Sequence, residues 1–119
     1  MTTIQQATPA EVRDGIADGT VLLVDVREVN EYSSERIPGA VLYPLSTFEP
    51  QALPRNSGRK LVLHCGGGGR STRAAQALVA AGYEQVYNLE GGIRAWKAIG
   101  LPLIRIDPAS GRVLEQGRI

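Results

Sequence analysis

The chain has 119 residues, 43% hydrophobic and 21% charged, as expected of one soluble globular domain with a real core. Thirteen basic residues against 12 acidic ones leave a net charge of +1, which excludes a strongly basic nucleic-acid binder and an acidic solvating tail. The lone cysteine, Cys65, excludes an intramolecular disulfide and a cysteine-built metal cluster, leaving either an inert core thiol or a nucleophile.

Ile4-Gln5-Gln6-Ala7 reads as a short edge strand. Thr8-Pro9-Ala10-Glu11 then starts a helix: Thr8 is the cap, Pro9 takes the first helical position, and Glu11 closes a capping box. That helix ends near Gly19. Val21–Val26 is almost wholly aliphatic, as a strand buried on both faces must be. Its run Val21–Val24 is too short for a secretory leader or a membrane span, so a cytoplasmic protein without a membrane partner is expected. Asn30–Arg36 suggests a short helix, ended by Ile37-Pro38-Gly39. Ala40–Tyr43 reads as another strand, Ser46–Leu53 as a helix, and Pro54–Gly58 as a loop.

Lys60–Cys65 is the next strand. Four glycines, Gly66–Gly69, follow it. A helix is expected from Arg70 or Ser71 to Ala81, with Ala74, Ala75, Leu78 and Val79 on one face and Gly82 as its stop. Gln85–Leu89 reads as a strand and Gly92–Ile99 as the last helix. Strands alternating with helices predict an α/β domain. Its five-stranded, mostly parallel central sheet is flanked by helices on both faces. Ile104–Ile119, with the turn cluster Asp107-Pro108-Ala109-Ser110-Gly111, reads as an appendage to residues 1–103. It is either a small hairpin or a tail.

The most informative segment is Leu61-Val62-Leu63-His64-Cys65-Gly66-Gly67-Gly68-Gly69-Arg70-Ser71. It sets a cysteine at the end of a buried parallel strand, just before a helix N-terminus. Open α/β sheets bind ligands in that crevice. A helix start offers unpaired N–H groups and partial positive charge, and glycines can turn further N–H groups inward. A thiol in such a ring ionises more readily than a free one, and the same ring would hold the charge of a terminal sulfur. A cysteine that only packs has no need of four glycines. The phosphate-binding P-loop needs a lysine that is absent here, and the dinucleotide fingerprint misses its last glycine. A cysteine phosphatase needs five residues between cysteine and arginine, whereas four separate Cys65 from Arg70.

With this loop, further stretches complete a pattern: Leu23-Val24-Asp25-Val26-Arg27-Glu28, Glu31-Tyr32, Arg36-Ile37-Pro38-Gly39-Ala40, Glu90-Gly91-Gly92-Ile93-Arg94-Ala95-Trp96 and Gly100-Leu101-Pro102. The chain resembles a single-domain rhodanese over roughly residues 4 to 103. The resemblance implies a sulfurtransferase in which Cys65 carries a persulfide. The sulfur comes from a small anionic donor, thiosulfate or 3-mercaptopyruvate. It passes to cyanide or to an external thiol, either a small one or that of a thioredoxin-like protein. No metal or organic cofactor is implied. Arg36 stands where the family usually has His, and the loop lacks the basic residue next to the cysteine seen in many thiosulfate users.

Gly66, Gly67, Gly68, Gly69, Arg70 and Ser71 are the expected substrate-binding residues around Cys65, with Asp25 and Arg27 in support. Arg70 could neutralise an anionic donor, whereas Arg73 reads as solvated. His64, adjacent to Cys65 on a strand, should point to the opposite face and pack in the sheet. Gly91-Gly92 should let the last helix approach the loop closely. Trp96 reads as core, and 5% aromatic content offers no stacking platform for nucleic acid. The different-class alternative is a non-enzymatic persulfide carrier or docking module.

Overall fold

The computed structural model describes residues 4–55 and 57–116; residues 1–3, the loop residue 56 and residues 117–119 of the appendage lie outside the described residues. Five parallel strands form the central sheet: β1 (Ile4–Ala7), β2 (Val21–Asp25), β4 (Val41–Leu42), β5 (Lys60–His64) and β6 (Val86–Leu89), in the order β1-β6-β5-β2-β4. The aliphatic runs in β2 and β5 feed two cores because successive side chains face opposite sides. Val21, Leu23, Val62 and Leu89 pack on one face, with α1 (Pro9–Asp18) and α4 (Gly92–Ala98). Val24, Leu61, Leu63 and Val86 pack on the other, with α3 (Gly69–Ala80). Helices thus cover both faces. Each fully buried leucine or valine contributes about 1.5–3 kcal/mol of transfer free energy.

The predicted capping box forms at α1. The Glu11 N–H donates to Thr8 Oγ1 at 3.2 Å, and the Thr8 N–H donates to Glu11 Oε1 at 2.9 Å. Two segments differ from expectation. Asn30–Arg36 divides into α2 (Val29–Ser34) and a two-residue strand, β3 (Glu35–Arg36). Ser46–Leu53 forms no α-helix; two 3-10 turns, Leu45–Thr47 and Pro50–Ala52, take its place. Pro50 has no N–H to continue a ladder, so the turns stay separate.

The C-terminal segment forms a hairpin of β7 (Leu103–Ile106) and β8 (Val113–Gln116). With β3 it makes a second, antiparallel sheet in the order β3-β7-β8. Its turn is built by Asp107, whose carboxylate accepts from Ala109 N–H at 2.9 Å and Ser110 Oγ at 2.8 Å.

The connection after β2 runs outward to β4, and that after β5 runs the other way to β6. The loops following β2 and β5 therefore diverge over one crevice at the carboxyl ends of the strands. Cys65 is the first residue beyond β5.

Candidate functional site around Cys65

The side chain of Cys65 joins the α3 face of the core, with Leu61 and Leu63, and is 1% exposed. The loop above it, Gly66–Gly69, is open to solvent at Gly67 and Gly69. This glycine rim is the solvent-facing part of the loop that follows the sulfur.

Of the four loop glycines, only Gly68 takes a positive φ, +116°. It caps α3 and turns its N–H onto Cys65 Sγ at 3.0 Å. The expected ring of donors is therefore led by one strong contact, and the helix begins at Gly69, before Arg70. Ser71, fully buried, brings its Oγ to 3.4 Å from the sulfur. Burial pushes the thiol pKa up. The Ser71 hydroxyl and the main-chain N–H groups of Ser71, Gly68 and Gly67 push it down, and the balance lies below the ordinary thiol value. The thiol thus ionises more readily than a free one beneath its own helix start.

Ser71 Oγ also contacts the Gly68 carbonyl at 3.2 Å and Asn88 Oδ1, and Asn88 Nδ2 donates to Gln6 Oε1 at 3.0 Å. Ser71 has a single hydroxyl proton for these acceptors and the sulfur. Asn88 is 4% exposed and lies on β6, on the face of Val86. Its part was not legible, though a lone polar residue in Val86-Tyr87-Asn88-Leu89 is a usable signal. Ser71→Ala is expected to move the pH profile of Cys65 alkylation by iodoacetamide to higher pH. The rate at neutral pH should fall several-fold, as read by intact mass against time.

Arg70 reaches the crevice but is not free there. Its Nη1 and Nη2 donate to Glu31 Oε1 and Oε2 at 2.7 and 3.0 Å, joining α3 to α2. Hydrogen bonding to Arg70, against the cost of burial, holds the Glu31 pKa at about 2 instead of 4.5. The pair's contribution to stability is therefore complete above pH 4.5 and fades as the pH falls towards 2. Both side chains are about one-third exposed, so screening limits it to about 1 kcal/mol. Urea midpoints of wild type and Glu31→Gln should differ at neutral pH and converge in acid.

Asp25 and Arg27 meet each other. The Arg27 guanidinium donates to Asp25 at 2.9–3.1 Å and to the Glu35 carbonyl at 2.6 Å, so the pair braces β2 against β3. Asp25 lies opposite His64 in the sheet register, and its Oδ2 is 3.5 Å from His64 Nε2. His64 is fully buried on the face away from Cys65, as strand alternation predicts. Burial pushes its pKa down, against opposing contributions from Asp25 and the Cys65 carbonyl, so the imidazole is neutral. Arg36 lies over the Tyr32 ring at 5.1 Å.

The close approach expected at Gly91-Gly92 is present. Gly92 has φ +61°, and a Cβ there would stand 2.6 Å from the carbonyl oxygens of both Cys65 and Gly66. This packing lets Ile93 N–H donate to the Cys65 carbonyl at 2.9 Å and Arg94 N–H to the Gly66 carbonyl at 3.1 Å. Among the described residues, no group of three or more His, Cys, Asp or Glu side chains could hold a metal ion. No helix among them is long and apolar enough to cross a membrane.

The chain is 42% identical over 99 residues to an uncharacterised Synechocystis protein, covering 83% of this chain and 55% of that relative. It is 38% identical over 84 residues to a sulfurtransferase of Allochromatium vinosum, covering 71% and 78% of the two chains. It is 35% identical over 80 residues to a candidate sulfur carrier protein of Bacillus subtilis, covering 67% and 43%. The chain thus spans about half the length of the first and third of these relatives. Among solved structures, the rhodanese-like domain of an Anabaena protein superposes with a TM-score of 0.75 at 27% identity, covering 92% and 89%. The family model for the rhodanese-like domain matches residues 8–99. A loop of this build, on a sheet of this order, belongs to a known lineage: the chain is a member of the rhodanese-like domain family.

Proposed function

We propose that the chain moves a sulfane sulfur from a small anionic donor to an acceptor through a persulfide on Cys65. Thiosulfate is the first donor and 3-mercaptopyruvate the second. The Cys65 thiolate attacks the outer sulfur of thiosulfate. A new S–S bond forms, the donor's S–S bond breaks, and sulfite leaves with the electron pair. The negative terminal sulfur rests among the N–H groups of Gly66–Arg70 and near Ser71. Cyanide or an external thiolate then attacks that sulfur and returns Cys65 as thiolate. The chain has no second cysteine, so a resolving thiol comes from outside, small or on a thioredoxin-like protein. The scheme uses no metal or organic cofactor. Asp25 and Arg27 support the crevice from behind. The chemistry belongs to residues 1–103, with 104–119 an appendage, and a reducing cytoplasm suits a free thiol.

The observation that carries this reading is the Gly68 N–H on Cys65 Sγ at the start of α3, with the thiol acidified despite its burial. Its test is an intact-mass spectrum after incubation with thiosulfate and, separately, with 3-mercaptopyruvate. Gain of one sulfur atom, removed again by cyanide as thiocyanate, is the expected result. No gain from either donor overturns it. The nearly closed sulfur and the sulfur-carrier name of the Bacillus subtilis relative favour a second reading, a persulfide carrier loaded by a partner. A carrier would load sulfur yet turn over small donors slowly, and steady-state rates separate the two.

A further inference from the structure

The loop over Cys65 has no charged side chain of its own, since residues 66–69 are all glycine. The first basic residue after it, Arg70, is occupied by the Glu31 carboxylate. Arg70 Nη2 also borders the loop, 3.4 Å from where a Cβ on Gly66 would stand, but its charge is offset by Glu31; a second cation comes from another element. Hydrogen bonding of Arg94 N–H to the Gly66 carbonyl fixes the third residue of α4 against the loop. Its guanidinium then lies against Gly67: a Cβ on Gly67 would be 3.2 Å from Arg94 Nη1 and 3.7 Å from Cζ. Arg94 is exposed, and among the described residues no carboxylate lies within ion-pair distance of it. Gly67 is itself exposed, on the rim of the loop that follows Cys65.

We propose that Arg94 is the specificity-determining cation of this mouth: it draws anionic sulfur donors to Cys65 in place of a basic side chain within the loop. The inference rests on the sulfur-transfer reading above and names the residue that sets its preference for negative charge. A guanidinium held against the loop that covers a buried thiol, with no ion pair among the described residues, raises the local concentration of anions at that loop. The bare glycine at position 67 is what leaves room for it. The side chain makes no ion pair to the rest of the fold among the described residues, so its replacement removes charge without dismantling a contact network.

The test compares alkylation of Cys65 by iodoacetate, an anion, and iodoacetamide, which is neutral, in wild type, Arg94→Gln and Arg94→Lys. Their rate ratio cancels changes in thiol acidity. At low salt the ratio should fall about tenfold in Arg94→Gln, stay near the wild-type value in Arg94→Lys, and decline with added salt in the wild type. Sulfur loading from subsaturating thiosulfate should fall in parallel in Arg94→Gln. An unchanged ratio in Arg94→Gln overturns the role of Arg94, even with sulfur loading intact. A ratio that Arg94→Lys fails to preserve also overturns it, because shape and not charge would then be at work. A wild type that takes no sulfur from any donor overturns the sulfur-transfer reading instead, while the reagent ratio still decides whether Arg94 selects anions.

Discussion

Cys65→Ser is expected to take up no sulfur from thiosulfate or mercaptopyruvate, with turnover lower by about a thousandfold or more. A serine oxygen in the same place receives the same Gly68 N–H, but it stays protonated at neutral pH and forms no stable bond to a transferable sulfur. The fold should tolerate the change. Serine is close to cysteine in volume, and its hydroxyl finds a donor in Gly68 and a partner in Ser71. Stability should shift by about 1 kcal/mol or less. Circular dichroism and urea unfolding establish that the variant is folded, and mass spectrometry reads the loading. A folded Cys65→Ser protein that still gains sulfur would end the persulfide scheme.

Gly92→Ala carries the largest expected structural cost. Its Cβ would stand 2.6 Å from two main-chain oxygens that cannot swing aside as a side chain would. Left-handed backbone adds about 1 kcal/mol for alanine, and overpacking about 1–3 kcal/mol, for a loss of about 2–4 kcal/mol and a Tm lower by roughly 10 °C. Gly100→Ala isolates the backbone part, because Gly100 has φ +74° and open space around its missing Cβ. Gly100→Ala should therefore lose only about 1 kcal/mol. Equal losses in the two variants would show that α4 does not clamp the loop. Gly92→Ala should also weaken the Ile93 and Arg94 N–H contacts to Cys65 and Gly66, and with them the anion preference of the mouth.

Local signals were the readable ones. The capping box at Thr8 and Glu11 placed α1, the aliphatic runs placed β2 and β5, and a cysteine before four glycines marked the crevice. What escaped depended on distant partners. Glu35 and Arg36 continue a helical pattern in sequence, yet they pair with Arg105 and Ile104, some seventy residues away. Ser46–Leu53 has helical composition, but Pro50 and the packing of Phe48 on Tyr43, with ring centroids 5.1 Å apart, hold it as separate turns. From its place beside the loop, Arg70 reads as a residue that could neutralise an anionic donor, and the sequence does not show the carboxylate it pairs with. Its partner Glu31 lies 39 positions earlier, and only the strand order brings the two together. Arg94 had a usable signal: a basic residue two positions after a glycine pair that exists to admit close packing.

Trp96 gives this arrangement an optical handle. It is the sole tryptophan of the chain, fully buried, with its indole Nε1 donating to the Pro102 carbonyl at 2.7 Å. It shares α4 with Arg94, so its fluorescence reports on the helix that roofs the glycine rim. Emission should be blue-shifted and shielded from acrylamide in the native state, and should redden only when α4 lifts away from the sheet. Detachment of α4 from the sheet can then be followed in real time, without a label, from this one ring.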